Sequence, residues 1–274
     1  MTIMKIRGGD LDLVEYDFSS FYPGECLHTA DIHLEHEPYP TGYTITARAP
    51  ARIHLSVLDM NRFSPGTPGG GGLGFAIQIY YDATVSCTDR DVIIDSPRRL
   101  LIEHLVAAFK TVTGYSGGFV IKAADHGREH VGLGSTSTIA TAIVTAMNEA
   151  TCCPLSTENV RMLIGHNYVE ETEDDGKIAF GFETGVGSAA SIYGGMTFVG
   201  DRLTRICNHT FAEGKNVFIV IPKNYHENNN AGLEEFTLLM NLARTLDYHD
   251  RELKAYLLMM DMIPSLVRGN LKKW

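Results

Sequence analysis

The feature that most constrains this chain is the stretch Glu129-His130-Val131-Gly132-Leu133-Gly134-Ser135-Thr136-Ser137-Thr138-Ile139-Ala140, where a glycine-rich turn runs directly into a segment of small residues. Gly132 and Gly134 admit backbone conformations closed to other residues, so consecutive N–H groups can converge on one point. The segment Thr136 to Ala150 contains neither Gly nor Pro and is expected to be helical. The turn therefore opens onto a helix N-terminus, which carries unpaired N–H groups and a partial positive charge. Ser135, Thr136 and Ser137 supply hydroxyls that either cap the helix or contact a phosphate. The plainer alternative is a tight strand-to-helix turn capped by Ser135. The spacing is neither the dinucleotide G-x-G-x-x-G nor the G-K-[ST] of a P-loop.

An anion held in such a turn would have to be met locally, because the 274-residue chain has a net charge of −10 from 23 Lys+Arg and 33 Asp+Glu. That balance argues against a general nucleic-acid surface. With 44% hydrophobic and 20% charged residues the chain reads as an ordinary globular protein. It contains no apolar run of the ~20 residues that a membrane helix needs and no signal-peptide core, so no membrane contact and a cytoplasmic location are expected. Cys26, Cys87, Cys152, Cys153 and Cys207 fit neither a disulfide framework nor a zinc spacing and are expected to be reduced and mostly buried.

Residues 1–42 read as an N-terminal extension in which His28, His33 and His36 are surface residues. Two alternating strands are expected around Pro50, with Arg52, His54, Ser56 and Leu58 on one face of the second. Ser64 to Gly72 is expected to be a surface loop, Leu73 to Cys87 a strand, and Asp91 to Ile94 a short partner strand. Ser96-Pro97 signals a helix start with Ser96 as N-cap, followed by an apolar stripe to Gly114, with Glu103 and His104 on the helix surface. A strand over Gly118 to Ala124 leads to the glycine turn, and Ser156 starts a helix expected to reach Glu171, with the acidic run after it solvated. A second glycine segment, Gly181 to Gly195, precedes expected strands at Met196 to Val199 and Val217 to Ile221. Two final helices are expected over Leu233 to Tyr248 and Glu252 to Ile263. The alternation predicts an α+β or mixed α/β architecture.

Three motifs together carry a resemblance: Pro50-Ala51-Arg52-Ile53-His54-Leu55, the Gly-Leu-Gly-Ser-Thr-Ser turn, and the second glycine segment closing in Tyr193-Gly194-Gly195. The set resembles the GHMP superfamily of small-molecule kinases. The run Arg52 to Asn61 followed by Gly71-Gly72-Leu73-Gly74-Phe75-Ala76-Ile77 is most similar to the β-ribofuranosylaminobenzene 5′-phosphate synthases and related C-nucleoside synthases. The resemblance implies a GHMP-kinase-like two-domain α+β fold: an extension over 1–42, a ribosomal protein S5 domain 2-like N-terminal domain over 43–195, and a shortened ferredoxin-like C-terminal domain over 196–274. It also implies a cytoplasmic homodimer using Mg²⁺ and no organic cofactor. The implied reaction joins phosphoribosyl pyrophosphate to an aromatic carboxylate of the 4-hydroxybenzoate or 4-aminobenzoate type, releasing pyrophosphate and CO₂, as in methanopterin or C-nucleoside biosynthesis.

On that resemblance, Gly132, Leu133, Gly134, Ser135, Thr136 and Ser137 would hold the pyrophosphate, with Gly185, Gly187 and Ser188 as a second clamp. Arg52 and His54 would contact phosphate or the acceptor carboxylate, Asp59 and Asn61 the metal or ribose hydroxyls, and Arg128 is a further anion candidate. His54, Asp59 and Asn61 are thus the catalytic candidates, with Asp59 as metal ligand; a turn-capping role for Asp59 is the structural alternative. The place of the catalytic Asp of many GHMP kinases falls at Ser188, or with one residue of slippage at Gly187 or Ala189, none of which is a base. The synthases' Arg-Gly-Gly and Glu-His stand here as Phe180-Gly181-Phe182 and Ile192-Tyr193, and a third glycine motif near the C-terminus is absent. An ATP-dependent GHMP small-molecule kinase, and a scaffold retaining only ligand binding, are the alternatives.

Overall fold

The computed structural model describes residues 3–6, 14–62, 64–124, 131–172, 174–221 and 233–270. In chain order the elements begin with β1 (Ile3–Ile6), β2 (Val14–Asp17), β3 (Ile45–Val57), β4 (Gly72–Thr88), β5 (Val92–Asp95), α1 (Arg99–Thr113), β6 (Gly118–Ala124), α2 (Ser135–Ala150) and α3 (Thr157–His166). They continue with β7 (Val169–Glu171), β8 (Ile178–Phe180), α4 (Val186–Tyr193), β9 (Met196–Val199), β10 (Arg205–His209), α5 (Leu233–Leu257) and, after a π turn at Leu258–Met262, α6 (Ile263–Val267). The architecture is α+β.

The sheet is organised by β4, 17 residues long. One edge pairs with β3 throughout; the other pairs first with β9 and then with β6, which carries β5 in parallel. The two strands expected around Pro50 are one 13-residue strand. Pro50 interrupts nothing because the register shifts between Pro50 and Arg52, so its missing N–H falls at a bulge. A second shift between His54 and Ser56 breaks the expected alternation of that face. Helix α2 packs against β3 and β4 on one side and against α1, α3 and α4 on the others. It is therefore buried almost all round, which explains its Ala, Ser and Thr content: larger side chains would hold the neighbouring elements apart.

Several local expectations give way to tertiary contacts. Ser96 is not the N-cap of α1; its hydroxyl donates to Pro97 O, and the cap position is Arg98 in the left-handed region at φ 56°. His104 is fully buried, because the segment around Phe21 and Gly24 lies over it and the Gly24 N–H donates to its Nδ1 at 3.3 Å. The N-terminal region is thus packed onto the core, with Ile32 inside it and bridges from Phe21 to Ile178 and Leu34 to Leu155. Helix α3 has its Ser156 cap but stops at His166, where Asn167 bonds both Leu163 O and His28 O. Glu170 and Glu171 then belong to the β7–β8 hairpin rather than to a helix exit.

Pro68 to Gly72 is buried, not a surface loop; Gly71 has φ +58° and a Cβ there would stand 2.3 Å from Val199 O. Strand β5 pairs with β6 and not with β4. Beyond the second glycine segment, β9 and the unexpected β10 extend the same sheet, so the expected domain boundary at 195/196 falls inside it. Val217 to Ile221 forms no strand; Phe218 and Val220 are each 88% exposed. The two expected final helices are joined into α5, since His249-Asp250-Arg251 contains no breaker. Cys26 and Cys153 are exposed and the other three cysteines half-buried, short of the burial expected. Among the described residues no helix is long and apolar enough to cross a membrane.

Phe109, fully buried between α1 and the sheet, meets Phe119 edge-on at 6.0 Å. Phe109→Ala should cost about 3–5 kcal/mol, read as a lower midpoint in urea unfolding with an unchanged slope.

Candidate anion-binding site

The glycine turn is held from below by β3. The Arg52 N–H donates to Leu133 O at 3.1 Å, and its Nη1 donates to Gly132 O at 3.0 Å. Gly132 and Gly134 have φ +78° and +72°, and a Cβ on Gly134 would lie 2.6 Å from the Arg52 guanidinium carbon. Gly134 is the cap residue of α2, its carbonyl accepting from both the backbone N–H and the hydroxyl of Thr138. Ser135 therefore occupies the first helical position and does not cap, contrary to the plainer reading of the sequence.

The second glycine segment closes the other side. Helix α4 starts after Gly185, at φ +84°, and a Cβ on Gly187 would stand 2.4 Å from Ser137 Oγ and 3.9 Å from Arg52 Nε. Two helix N-termini thus meet at one guanidinium. Neither has an acidic residue in its first turn, and Arg52 Nε is buried with no hydrogen-bond partner among the described residues. Helix N-termini favour anions, so a cation lodged between two of them leaves a surplus of positive potential and an unused donor.

Part of that surplus is met by Glu183, which is 6% exposed and accepts from the Gly185 N–H. Burial raises its pKa, opposed by the Gly185 N–H, Arg52 and Arg161. Burial lowers the pKa of Arg52, opposed by Glu183 and Tyr168. Arg161, fully buried, is forked onto Glu158, which also accepts from the Tyr193 hydroxyl at 2.7 Å. Nothing in the spacing of the sequence marks Glu183 as a counter-charge; only the packing of Arg52 and Arg161 near it does.

Arg98 is the other residue that sequence reasoning missed. Its Nη2 donates to Ser135 Oγ at 3.2 Å, across a separation of 37 residues, and its Nη1 lies 3.7 Å from Glu170. Glu170 in turn accepts from the buried Tyr168 hydroxyl, which also contacts Thr136. Burial first, and then Glu170, holds the Tyr168 phenol well above its ordinary pKa.

His54 lies beyond Arg52 on β3, against Gly72, and its Nε2 donates to Ser56 O at 3.2 Å. Burial, and then the Arg52 charge, push its pKa down to about 4 against the pull of that hydrogen bond, so the ring is neutral near pH 7. Ser188 is fully buried in α4, its hydroxyl 3.5 Å from Gly185 O. Arg128, Glu129 and His130 lie outside the described residues.

Asp59 and Asn61 lie just past the end of β3, against α5. Asp59 Oδ1 accepts from the Asn61 N–H and side-chain amide at 2.9 and 3.0 Å, and Oδ2 lies 3.6 Å from Arg251. Asn61 then exchanges hydrogen bonds with Arg244 of α5. Both carboxylate oxygens are engaged, and the described residues contain no group of three His, Cys, Asp or Glu side chains suited to a metal ion. Mg²⁺ is commonly held by one or two carboxylates together with substrate phosphates, so Asp59 as its ligand stays an expectation of the resemblance. The turn-forming contacts of Asp59 with Asn61 are present in the structure.

No protein-family model matches the chain, and no curated protein sequence does. Solved structures with partial likeness are small-molecule kinases. Homoserine kinase from Cytophaga hutchinsonii overlaps with a TM-score of 0.44 at 19% identity, over 59% of this chain and 50% of that one. The Methanococcus jannaschii mevalonate kinase gives 0.41 at 15%, over 59% and 55%. The L. major mevalonate kinase in complex with R-mevalonate gives 0.47 at 13%, over 86% and 74%. The chain spans about half the length of the first two. Each of these three TM-scores is below 0.5.

Two outcomes are expected. Gly134→Val, which forces a branched side chain into the Arg52 guanidinium, should abolish phosphate binding measured by calorimetry; unchanged affinity would remove the turn from the site. His54 and His104 both have folded pKa values near 4 against an ordinary 6.5. The unfolded chain then binds more protons below pH 6.5, so stability is fully present above that pH and is lost as pH falls toward 4. The limiting slope is about 1.4 kcal/mol per pH unit for each histidine, and His54→Gln should remove one share in urea titrations across that range.

Proposed function

We propose that the chain is a GHMP-type enzyme that grips the diphosphate of phosphoribosyl pyrophosphate in the turn Gly132 to Ser137 and transfers the ribosyl 5-phosphate unit to an aromatic carboxylate. The observation that supports it is Arg52, whose buried Nε has no hydrogen-bond partner among the described residues, wedged between two glycine-started helix N-termini. In this reading the bond from ribose C1 to the pyrophosphate oxygen breaks, its electron pair leaving with pyrophosphate. The ring carbon bearing the carboxylate attacks C1, the new C–C bond forms, and the electrons of the bond to CO₂ restore the ring as CO₂ departs. Negative charge grows on the leaving group, where preorganised N–H donors and Arg52 stabilise it most. Gly185, Gly187 and Ser188 bring the second helix start to the same point. His54, held neutral with its Nε2–H on Ser56 O, keeps Nδ1 as a hydrogen-bond acceptor, which suits a sugar hydroxyl. A cytoplasmic homodimer belongs to the same reading by resemblance.

One observation favours the second reading, an ATP-dependent small-molecule kinase. Glu183 is a buried carboxylate with a raised pKa at the start of α4, where a base for a substrate hydroxyl would serve, although Ser188 replaces the usual aspartate. Incubating the protein and Mg²⁺ with phosphoribosyl pyrophosphate and a panel of aromatic acids, and following pyrophosphate and CO₂, separates the two. Equal release of both with one acid is expected. Release with none, together with ATP turnover on an alcohol, would establish the kinase instead.

A further inference from the structure

The start of α2 is bracketed by a second arginine that the reading above does not use. Arg98 reaches α2 from the start of α1, its side chain 11% exposed, and donates to Ser135 Oγ, while Arg52 holds Gly132 and Leu133 from β3. Arg98 adopts a left-handed backbone at φ 56°, ψ 46°, a conformation that non-glycine residues adopt only when their surroundings impose it. Its companion Glu170 is 42% exposed and 3.7 Å away, and that carboxylate is shared with the Tyr168 hydroxyl. The pairing is therefore loose and leaves the Arg98 fork with donors to spare.

Two guanidiniums placed against one helix N-terminus oppose its partial charge, and the first turn of α2 contains no acidic residue to offset them. One phosphate seated on the turn against Arg52 would leave Arg98 with Glu170, 3.7 Å away, as its counter-charge. A second phosphate, covalently linked to the first, extends the anion along the helix start and gives both forks an oxygen pair. We infer that Arg98 is a ligand-binding residue that selects a diphosphate group over a single phosphate. The inference rests on the phosphate reading of the glycine turn and adds to it the residue that sets ligand length.

Calorimetric titration of the full chain with inorganic phosphate and with pyrophosphate tests it. Wild-type protein should prefer pyrophosphate by on the order of tenfold or more, the scale of a charge-assisted fork. Arg98→Gln should reduce that preference to about twofold while changing phosphate affinity by less than about twofold, and Arg98→Lys should restore part of it. Equal weakening of both ligands in Arg98→Gln, or an unaltered preference, would overturn the inference while leaving the turn as a phosphate site. If Arg98→Gln does not fold, Arg98→Lys decides, a preference equal to wild type counting against the proposal. Binding of neither ligand by wild-type protein, or unchanged binding of both by Gly134→Val, overturns the phosphate reading itself.

Discussion

The packing of Arg52 between the starts of α2 and α4 is the constraint on which the rest of the structure turns. Its guanidinium lies 2.6 Å from where a Gly134 side chain would begin, and its Nε 3.9 Å from the corresponding point on Gly187. Arg52 therefore requires a glycine at Gly134, whereas Gly187 is required by Ser137 Oγ of α2, 2.4 Å from where its side chain would begin, and α2 must be small-sided to sit among β3, β4 and α4 at once. The bulge after Pro50 sets the register that delivers Arg52 beneath the turn. The same register lets Ser191 of α4 donate to Pro50 O at 2.9 Å, so strand and helix fix each other.

Burying that cation costs free energy unless a carboxylate and hydrogen bonds offset it. Glu183 supplies the negative charge from the residue pair preceding α4, and Arg161, Glu158 and Tyr193 continue the alternation of sign outward. Arg205 ends it by lying over the Tyr193 ring at 4.3 Å. The donor left over at Arg52 Nε among the described residues is then a property of the arrangement, because its neighbours there already have partners. This separates the site from an ordinary buried ion pair, which closes on itself.

Helix α5 meets the same strand at its far end by polar contacts. Asn61 bonds Arg244, the Met60 N–H donates to Asp247 at 3.0 Å, and Lys254 donates to Val57 O at 3.3 Å. Asp59 and Asn61 follow the end of β3, bond one another, and face Arg251 and Arg244 of α5, apart from the turn that Arg52 supports. Position along a strand indicates a face; it does not indicate which partner takes each oxygen.

The sequence by itself determined the local chemistry: the first glycine turn and the helix after it, the second glycine segment, the strand through Arg52 and His54, and the Ser156 cap; the helix α4 within the second glycine segment was not legible there. These follow from residue type and spacing within one turn or one strand, where φ limits and missing or unpaired N–H groups act directly. Tertiary structure alone decided the rest. Arg98 touches Ser135 across 37 residues and Glu183 faces charges from β3 and α3, pairings that no periodicity encodes. Burial of His104 and of Pro68 to Gly72 depends on which segment lies over them. Val217 to Ile221 carries a strand's composition yet forms none, because a strand needs a neighbour's backbone as well as its own side chains.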